Sequence, residues 1–177
     1  MTAVAAARRP DATEFAPFYA GYVDGVPEGD ITTILRRGGD EWQRVLAELP
    51  ETRADHRYAD GKWSIKQVIG HVSDAERIFT YRALRIARGD RTPLASFDEN
   101  AYAETAGSDR RTLAALAAEL RAVREATLAL FTSLPEDAWT RTGTASEKTV
   151  SVRALAYIAA GHAQHHLKIL RERYLGL

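Results

Sequence analysis

The chain has 177 residues, enough for one domain with its own core, and its charges balance at 24 Lys plus Arg against 24 Asp plus Glu. That balance gives no electrostatic case for nucleic acid as a partner, and no apolar run approaches the roughly 18 residues that would span a membrane. Cysteine is absent, which removes disulfides, thiolate ligands and a cysteine nucleophile together and leaves histidine and carboxylate as the strong metal ligands.

Met1 to Arg9 places Ala-Ala-Ala ahead of Arg-Arg, the reverse of a secretion signal, so a cytoplasmic protein is expected. Residues 1–29 are rich in Ala, Pro, Gly and aromatic residues. They read as an extended arm packing on the core, with Phe15, Phe18, Tyr19 and Tyr22 draped over it. Residues 30–177 form the domain proper, with four predicted helices. The first runs from Ile31 to Leu49 with Asp30 as N-cap, and Gly38-Gly39 is a weak point expected to kink or interrupt it. The second starts at Ser64, where Ser64-Ile65-Lys66-Gln67 reads as a capping box, and continues to Arg88, where Gly89 stops it. Its apolar side carries Ile65, Val68, Val72, Ala75, Phe79 and Ile86.

Residues 90–107 form a long connection holding Pro93, Gly107 and the acidic pair Asp98-Glu99. The third helix runs from Asp109 to Ser133, with Leu113, Leu116, Leu120, Val123, Leu128 and Leu130 at helical spacing. After Pro135 and the polar stretch Thr140 to Thr149, the fourth is capped by Ser151 and reaches Tyr174. Period-two strand patterns are essentially missing. The fold class is therefore all-α, a four-helix bundle. The connections between the first and second and between the second and third helices exceed ordinary turns and leave room for a crossover.

The fourth helix carries Gly161-His162-Ala163-Gln164-His165-His166 in the middle of a face that otherwise reads Val152, Leu155, Ala159 and Ile169. His162 and His166 are one turn apart, about 40° around the axis, so they share a side. Two neutral imidazoles there cost desolvation unless something binds them, and a divalent metal is the usual partner. His71, one turn after Val68 and one before Ala75, sits toward the edge of the second helix's apolar side. Taken singly, such a histidine is more often a hydrogen-bonded core residue than a ligand. If the fourth helix packs beside the second, all three converge. His165, in the row of Gly161, Lys168 and Glu172, is expected to face solvent. His56, in the loop before Trp63, reads as a surface residue.

Three imidazoles leave the metal's charge uncompensated and a coordination position open, as catalytic sites do. The expected cofactor is a divalent transition metal, zinc or nickel foremost, with iron and copper also compatible. Asp74, one turn from His71, either orients that imidazole or is an ordinary exposed helical aspartate. Arg82 projects from the apolar side of the second helix and needs a carboxylate, which Asp98 or Glu99 could supply. It is either a structural ion pair holding the loop or a clamp for a substrate carboxylate. Glu76 is a candidate general base if it reaches the site.

Four blocks together, Trp63-Ser64-Ile65-Lys66-Gln67-Val68-Ile69-Gly70-His71, Arg82 to Asp90, Phe97-Asp98-Glu99-Asn100 and Gly161 to His166, resemble the DinB-like superfamily of damage-inducible helical proteins. The resemblance covers residues 30 to 174. It implies a four-helix bundle with a long crossover and a divalent metal held by one histidine of the second helix and a His-x-x-x-His pair of the fourth. Carried over, that names His71, His162 and His166. It also implies kinship with bacillithiol-dependent S-transferases and a mycothiol-dependent isomerase, and a homodimer as the common assembly.

Three functions follow as expectations. The first is a metal-dependent thiol S-transferase that takes a low-molecular-weight thiol and an electrophile, with Arg82 contacting an acidic group. The second is a metal-dependent hydrolase using the same ligands. The third is a non-catalytic, stress-associated binding protein.

Overall fold

Residues 8–176 are described by the computed structural model, and three of its four long helices, α2, α3 and α6, begin at the cap read from the sequence. After two 3-10 turns, α1 spans Ala20–Gly25. Helix α2 (Ile31–Glu48) starts at Asp30, whose carboxylate accepts from the Thr33 amide at 2.7 Å. Helix α3 (Ile65–Ala87) carries the capping box in full: Ser64 Oγ accepts from the Gln67 amide at 3.1 Å, and Gln67 Oε1 accepts from the Ser64 amide at 3.0 Å. Then come α4 (Glu99–Thr105), α5 (Leu113–Thr132), the antiparallel hairpin β1 (Thr142–Ala145) and β2 (Lys148–Ser151), and α6 (Val152–Ile169). No described helix is long and apolar enough to cross a membrane.

The four long helices occupy the corners of a square. Helix α2 packs on α5 and α6, and α3 packs on the same two. Consecutive helices α2 and α3 therefore lie on one diagonal and α5 and α6 on the other. The crossovers are the 49–64 and 133–151 connections. The other long connection, expected as a second place for a crossover, joins the neighbours α3 and α5 and lays α4 against α3. Helix α6 is buried without a break from Val152 to Ala163, as an element that is apolar all round must be.

Two apolar clusters fill the interior. Ala75, Phe79 and Ile86 of α3 meet Leu155 to Ala160 of α6 in one, and Val68, Ile69 and Val72 meet Ala163 and Leu167 in the other. On α6 the change from one cluster to the other falls at His162, between Ala160 and Ala163, and on α3 it falls between Val72 and Ala75, within one turn of His71.

Several expectations need correction. Gly38-Gly39 does not interrupt α2, which runs unbroken from Ile31 to Glu48. A Cβ on Gly39 would lie 2.8 Å from Cγ of Arg124, so the small residues make room for that side chain to cross α2. The third helix starts at Leu113, because Gly107 at φ 66° turns residues 108–110 into a separate 3-10 turn. The fourth ends its α-helical part at Ile169 and continues as a π-helical segment, Leu170–Leu175. Helix α4 and the hairpin were not expected. Seven and four residues are too few to display a period, and the hairpin turns on Ser146-Glu147 rather than on Gly or Asn.

The predicted arm is not extended, since it folds into 3-10 turns and α1, and it is tied down. Phe15, Val23 and Val26 are buried in the first cluster. Arg9 donates to the carbonyls of Val23, at 2.5 Å, and Val26. Residues 1–7, which include most of the segment judged unlike a secretion signal, lie outside the described residues.

Arg153, at the buried start of α6, forks onto Glu14 of the arm, with Nε at 2.7 Å from Oε2. Burial alone would raise the Glu14 pKa, but the Arg153 hydrogen bonds, with those from the Asp11 backbone and Ser151, bring it down to about 2. A depressed carboxylate contributes stability that is complete above its ordinary pKa, near 4.5, and lost as pH falls toward 2. Glu14→Gln is accordingly expected to cost about 2 kcal/mol at neutral pH. It should also flatten the pH dependence of thermal melting between those two values, whereas Glu28→Gln on the exposed Arg9 pair leaves the curve unchanged.

Candidate metal centre

His71 of α3 and His162 and His166 of α6 converge where the two apolar clusters meet. Their ligand nitrogens all lie within 4.8 Å of one another. His71 Nε2 is 3.0 Å from His162 Nε2, and the ring centroids are 4.5 to 4.9 Å apart. The convergence follows from sequence and packing together. The i, i+4 spacing puts two imidazoles on one side of α6, and the α3–α6 contact brings the third across.

Their environment keeps them neutral. Burial lowers the His71 pKa to about 4, against a smaller opposing pull from Glu99, and lowers His166 to about 3 with help from His71 and His165. His162, the most deeply placed, is pushed well below the ordinary range by burial and by its histidine neighbours. Neutral imidazoles are the form that ligates metal. Nitrogens held tetrahedrally around zinc at its usual bond lengths would stand about 3.3 Å apart, close to the 3.0 Å separation of His71 and His162. The donor set fits a divalent transition metal.

The histidines form one wall of a cleft of about 320 Å³. Trp63 packs on His71 with centroids 4.6 Å apart and stacks near His166, while Phe79 and Tyr22 each meet His162 edge-on at 5.5 Å. Tyr174 fixes the Trp63 backbone by donating its hydroxyl to the Trp63 carbonyl at 2.8 Å. Glu99, at the start of α4, and Ser146, in the hairpin turn, complete the lining. Burial, with Tyr19 and Glu99 nearby, raises the Tyr22 pKa, so its hydroxyl is a neutral donor. Tyr22 and Ser146 were missed as site residues. The arm's run of aromatics was a signal for Tyr22, but nothing in the sequence ties residue 146 to the histidines.

Tyr22 reaches the site because α1 lies on Gly161. A Cβ at that position would be 2.0 Å from the Tyr22 carbonyl oxygen. Gly161→Ala must push α1 away, and we expect a loss of about 1–3 kcal/mol from overpacking. Zinc titration with thermal melting checks this: stability falls and zinc affinity changes less than it does on loss of a histidine.

The remaining expected residues sort clearly. His165 is exposed and stands outside the three-histidine group, and His56 is exposed as well. Asp74 accepts from Arg77 at 3.2 Å, so nothing marks it as a partner of His71. Glu76 is 1% exposed, and both of its oxygens are taken by Arg124 at 2.7 Å, which corrects its reading as a candidate base. Arg82 is buried, but it pairs with neither Asp98 nor Glu99. Its Nη2 donates to the Ala95 carbonyl at 2.6 Å and to Ser146 Oγ at 3.0 Å. Asp98 instead caps α4, accepting from the Asn100 and Ala101 amides.

Comparison with known proteins bears on the family and the fold. A family model described as the DinB superfamily matches residues 34–170. YfiT of Bacillus subtilis (strain 168), a protein named by inference as a metal-dependent hydrolase, is 22% identical over 154 residues, covering 79% of this chain and 86% of YfiT. The solved structure of YfiT, described as a four-helix bundle of unusual topology, superposes with a TM-score of 0.72 at 18% identity over 90% of this chain and 93% of that one. A mycothiol-dependent maleylpyruvate isomerase superposes with a TM-score of 0.67, also at 18% identity. It covers 84% of this chain but 62% of its own, so the shared fold is one part of a longer protein.

Proposed function

The chain belongs to the DinB superfamily, and from that premise we propose that it is a divalent-metal-dependent enzyme of the thiol S-transferase type, with His71, His162 and His166 as the ligands. The observation that carries the reading is a set of three neutral imidazoles, two buried and one half-buried, opening onto a cleft whose lining offers a single carboxylate, Glu99. A metal held by three neutral imidazoles supplies Lewis acidity and an open position that lowers the pKa of a thiol or a water reaching it. The chain's own residues do the rest. Trp63, Phe79 and Tyr22 keep water away from the imidazoles and give an electrophile an apolar surface. Tyr22 offers its neutral hydroxyl to charge developing in the cleft, and Glu99 can take up the proton a thiol gives up. The family resemblance to thiol-dependent enzymes supports the choice of a low-molecular-weight thiol as co-substrate.

Hydrolysis is the second reading. Glu99, as a carboxylate in the cleft, and the name carried by YfiT both favour it. One assay separates the two. Zinc-loaded protein is incubated with an alkylating electrophile in the presence and absence of a small thiol, and beside it with an aryl ester in thiol-free buffer. Loss of electrophile that requires thiol and disappears in His71→Ala is the expected result. Ester turnover without thiol, also lost in His71→Ala, would replace the transferase with the hydrolase. Activity unchanged in His71→Ala would sink both.

A further inference from the structure

Arg82 is 3% exposed, yet no carboxylate pairs with it among the described residues. A guanidinium largely withdrawn from water without an anion is costly, and the two neutral acceptors on Nη2 offset only part of that cost, its other nitrogens staying open to solvent. One of those acceptors is Ser146 Oγ. Because that oxygen accepts from Arg82, the Ser146 hydroxyl hydrogen is left to donate, with a cation behind it. Ser146 lines the same cleft as the three histidines.

The turn that carries it gives an independent indication. Ser146 sits at φ 51° and Glu147 at φ 63°, the left-handed pair of a two-residue hairpin in which Asn and Gly are the low-cost choices. Serine at the first position is not explained by the turn. The segment is also pinned: the Ser146 amide donates to the Leu94 carbonyl at 2.9 Å, and the Leu94 amide to the Thr144 carbonyl at 2.9 Å. The backbone is held in an uncommon conformation so that one hydroxyl stands between Arg82 and the cleft.

We propose that Ser146, backed by Arg82, is an anion subsite that selects substrates with an apolar body and a carboxylate at one end. Arg82 lies eleven residues beyond His71 on α3, about 16 Å along the axis and within about 20° on the same side. Ser146 and the imidazoles thus line one cleft, whose wall also carries aromatic side chains such as Phe79. Glu99 is the one formally charged lining residue, and its influence is felt at His71 and Tyr22. This names the substrate class of the site proposed above, but it can be tested apart from the metal.

Phenylalkyl carboxylates of graded chain length and their neutral amides are titrated by NMR into the His162→Ala/His166→Ala protein, where an acid has no metal to bind. Acid is expected to bind about tenfold better than amide, the worth of roughly one charge-assisted hydrogen bond. Ser146→Ala should erase that preference, weakening acid more than amide, and Arg82→Gln should do the same. Ser146→Ala removes only a partly exposed hydroxyl and keeps the test open if Arg82→Gln fails to fold. Equal binding of acid and amide, or a preference that survives Ser146→Ala, overturns the proposal. So does a preference that appears only in the zinc-loaded wild type, because the acid would then be reading the metal.

Discussion

Zinc bound near-stoichiometrically to the wild-type chain is expected to be absent from the His162→Ala/His166→Ala protein, with affinity falling by more than about a thousandfold. One imidazole, His71, remains in that variant, and no described carboxylate converges with it to rebuild a three-ligand set. Elemental analysis of protein purified without a histidine tag reads the loss directly. Thermal melting gives a second readout: zinc at a hundredfold excess over its Kd stabilises a native-state site by about 2.7 kcal/mol, and the variant should show no such rise.

The metal-free proteins should differ as well, in a direction the burial of the imidazoles dictates. His71 and His166 titrate at about 4 and about 3 in the folded chain but near 6.5 when unfolded. Between those values the unfolded chain binds more protons, so stability is complete above about 6.5 and declines as pH falls toward 3. Metal-free wild type should lose stability across that window, and the double variant should lose much less. Equal slopes would mean that the imidazoles are not held neutral as their burial implies.

How much of this was visible in the sequence depended on whether a local signal existed. The caps at Asp30, Ser64 and Ser151 act within three residues of themselves, so the starts of α2, α3 and α6 could be read. The histidine set was legible for a similar reason: spacing placed two on one face, and one helix contact brought the third. What stayed hidden was non-local. The diagonal placement of α2 and α3 depends on which faces pair in space, and no residue along either helix encodes that alone. Arg82 was correctly seen as a buried cation, but Asp98 as its partner could not be excluded without seeing that carboxylate cap α4. Gly38-Gly39 was read by propensity as a weakness, whereas its meaning lies 85 residues away, in the side chain of Arg124.

That side chain carries the largest stability effect we expect in the fold. Arg124 of α5 forks onto Glu76 of α3 through Nε and Nη2 and donates Nη1 to the Leu35 carbonyl of α2 at 2.5 Å, so one guanidinium ties three helices. Both partners are almost wholly buried, with side-chain exposures of 5% and 2%. Arg124→Ala would strand the Glu76 charge in the core, a loss of about 3–5 kcal/mol. In a domain of this size that corresponds to a fall in Tm of about 10 °C or more. The double replacement Glu76→Leu/Arg124→Met removes both charges and should recover much of the loss, since a buried pair is often close to neutral against apolar residues that fill the same space. The same variants decide what Glu76 is for. As a structural partner, it requires that Glu76→Gln lower Tm while kcat in the folded protein is kept. As a general base, it would require kcat to collapse in Glu76→Gln and to stay low in the thermally rescued double variant. The occupied oxygens of Glu76 and the distance-matched fork of Arg124 argue for the first outcome.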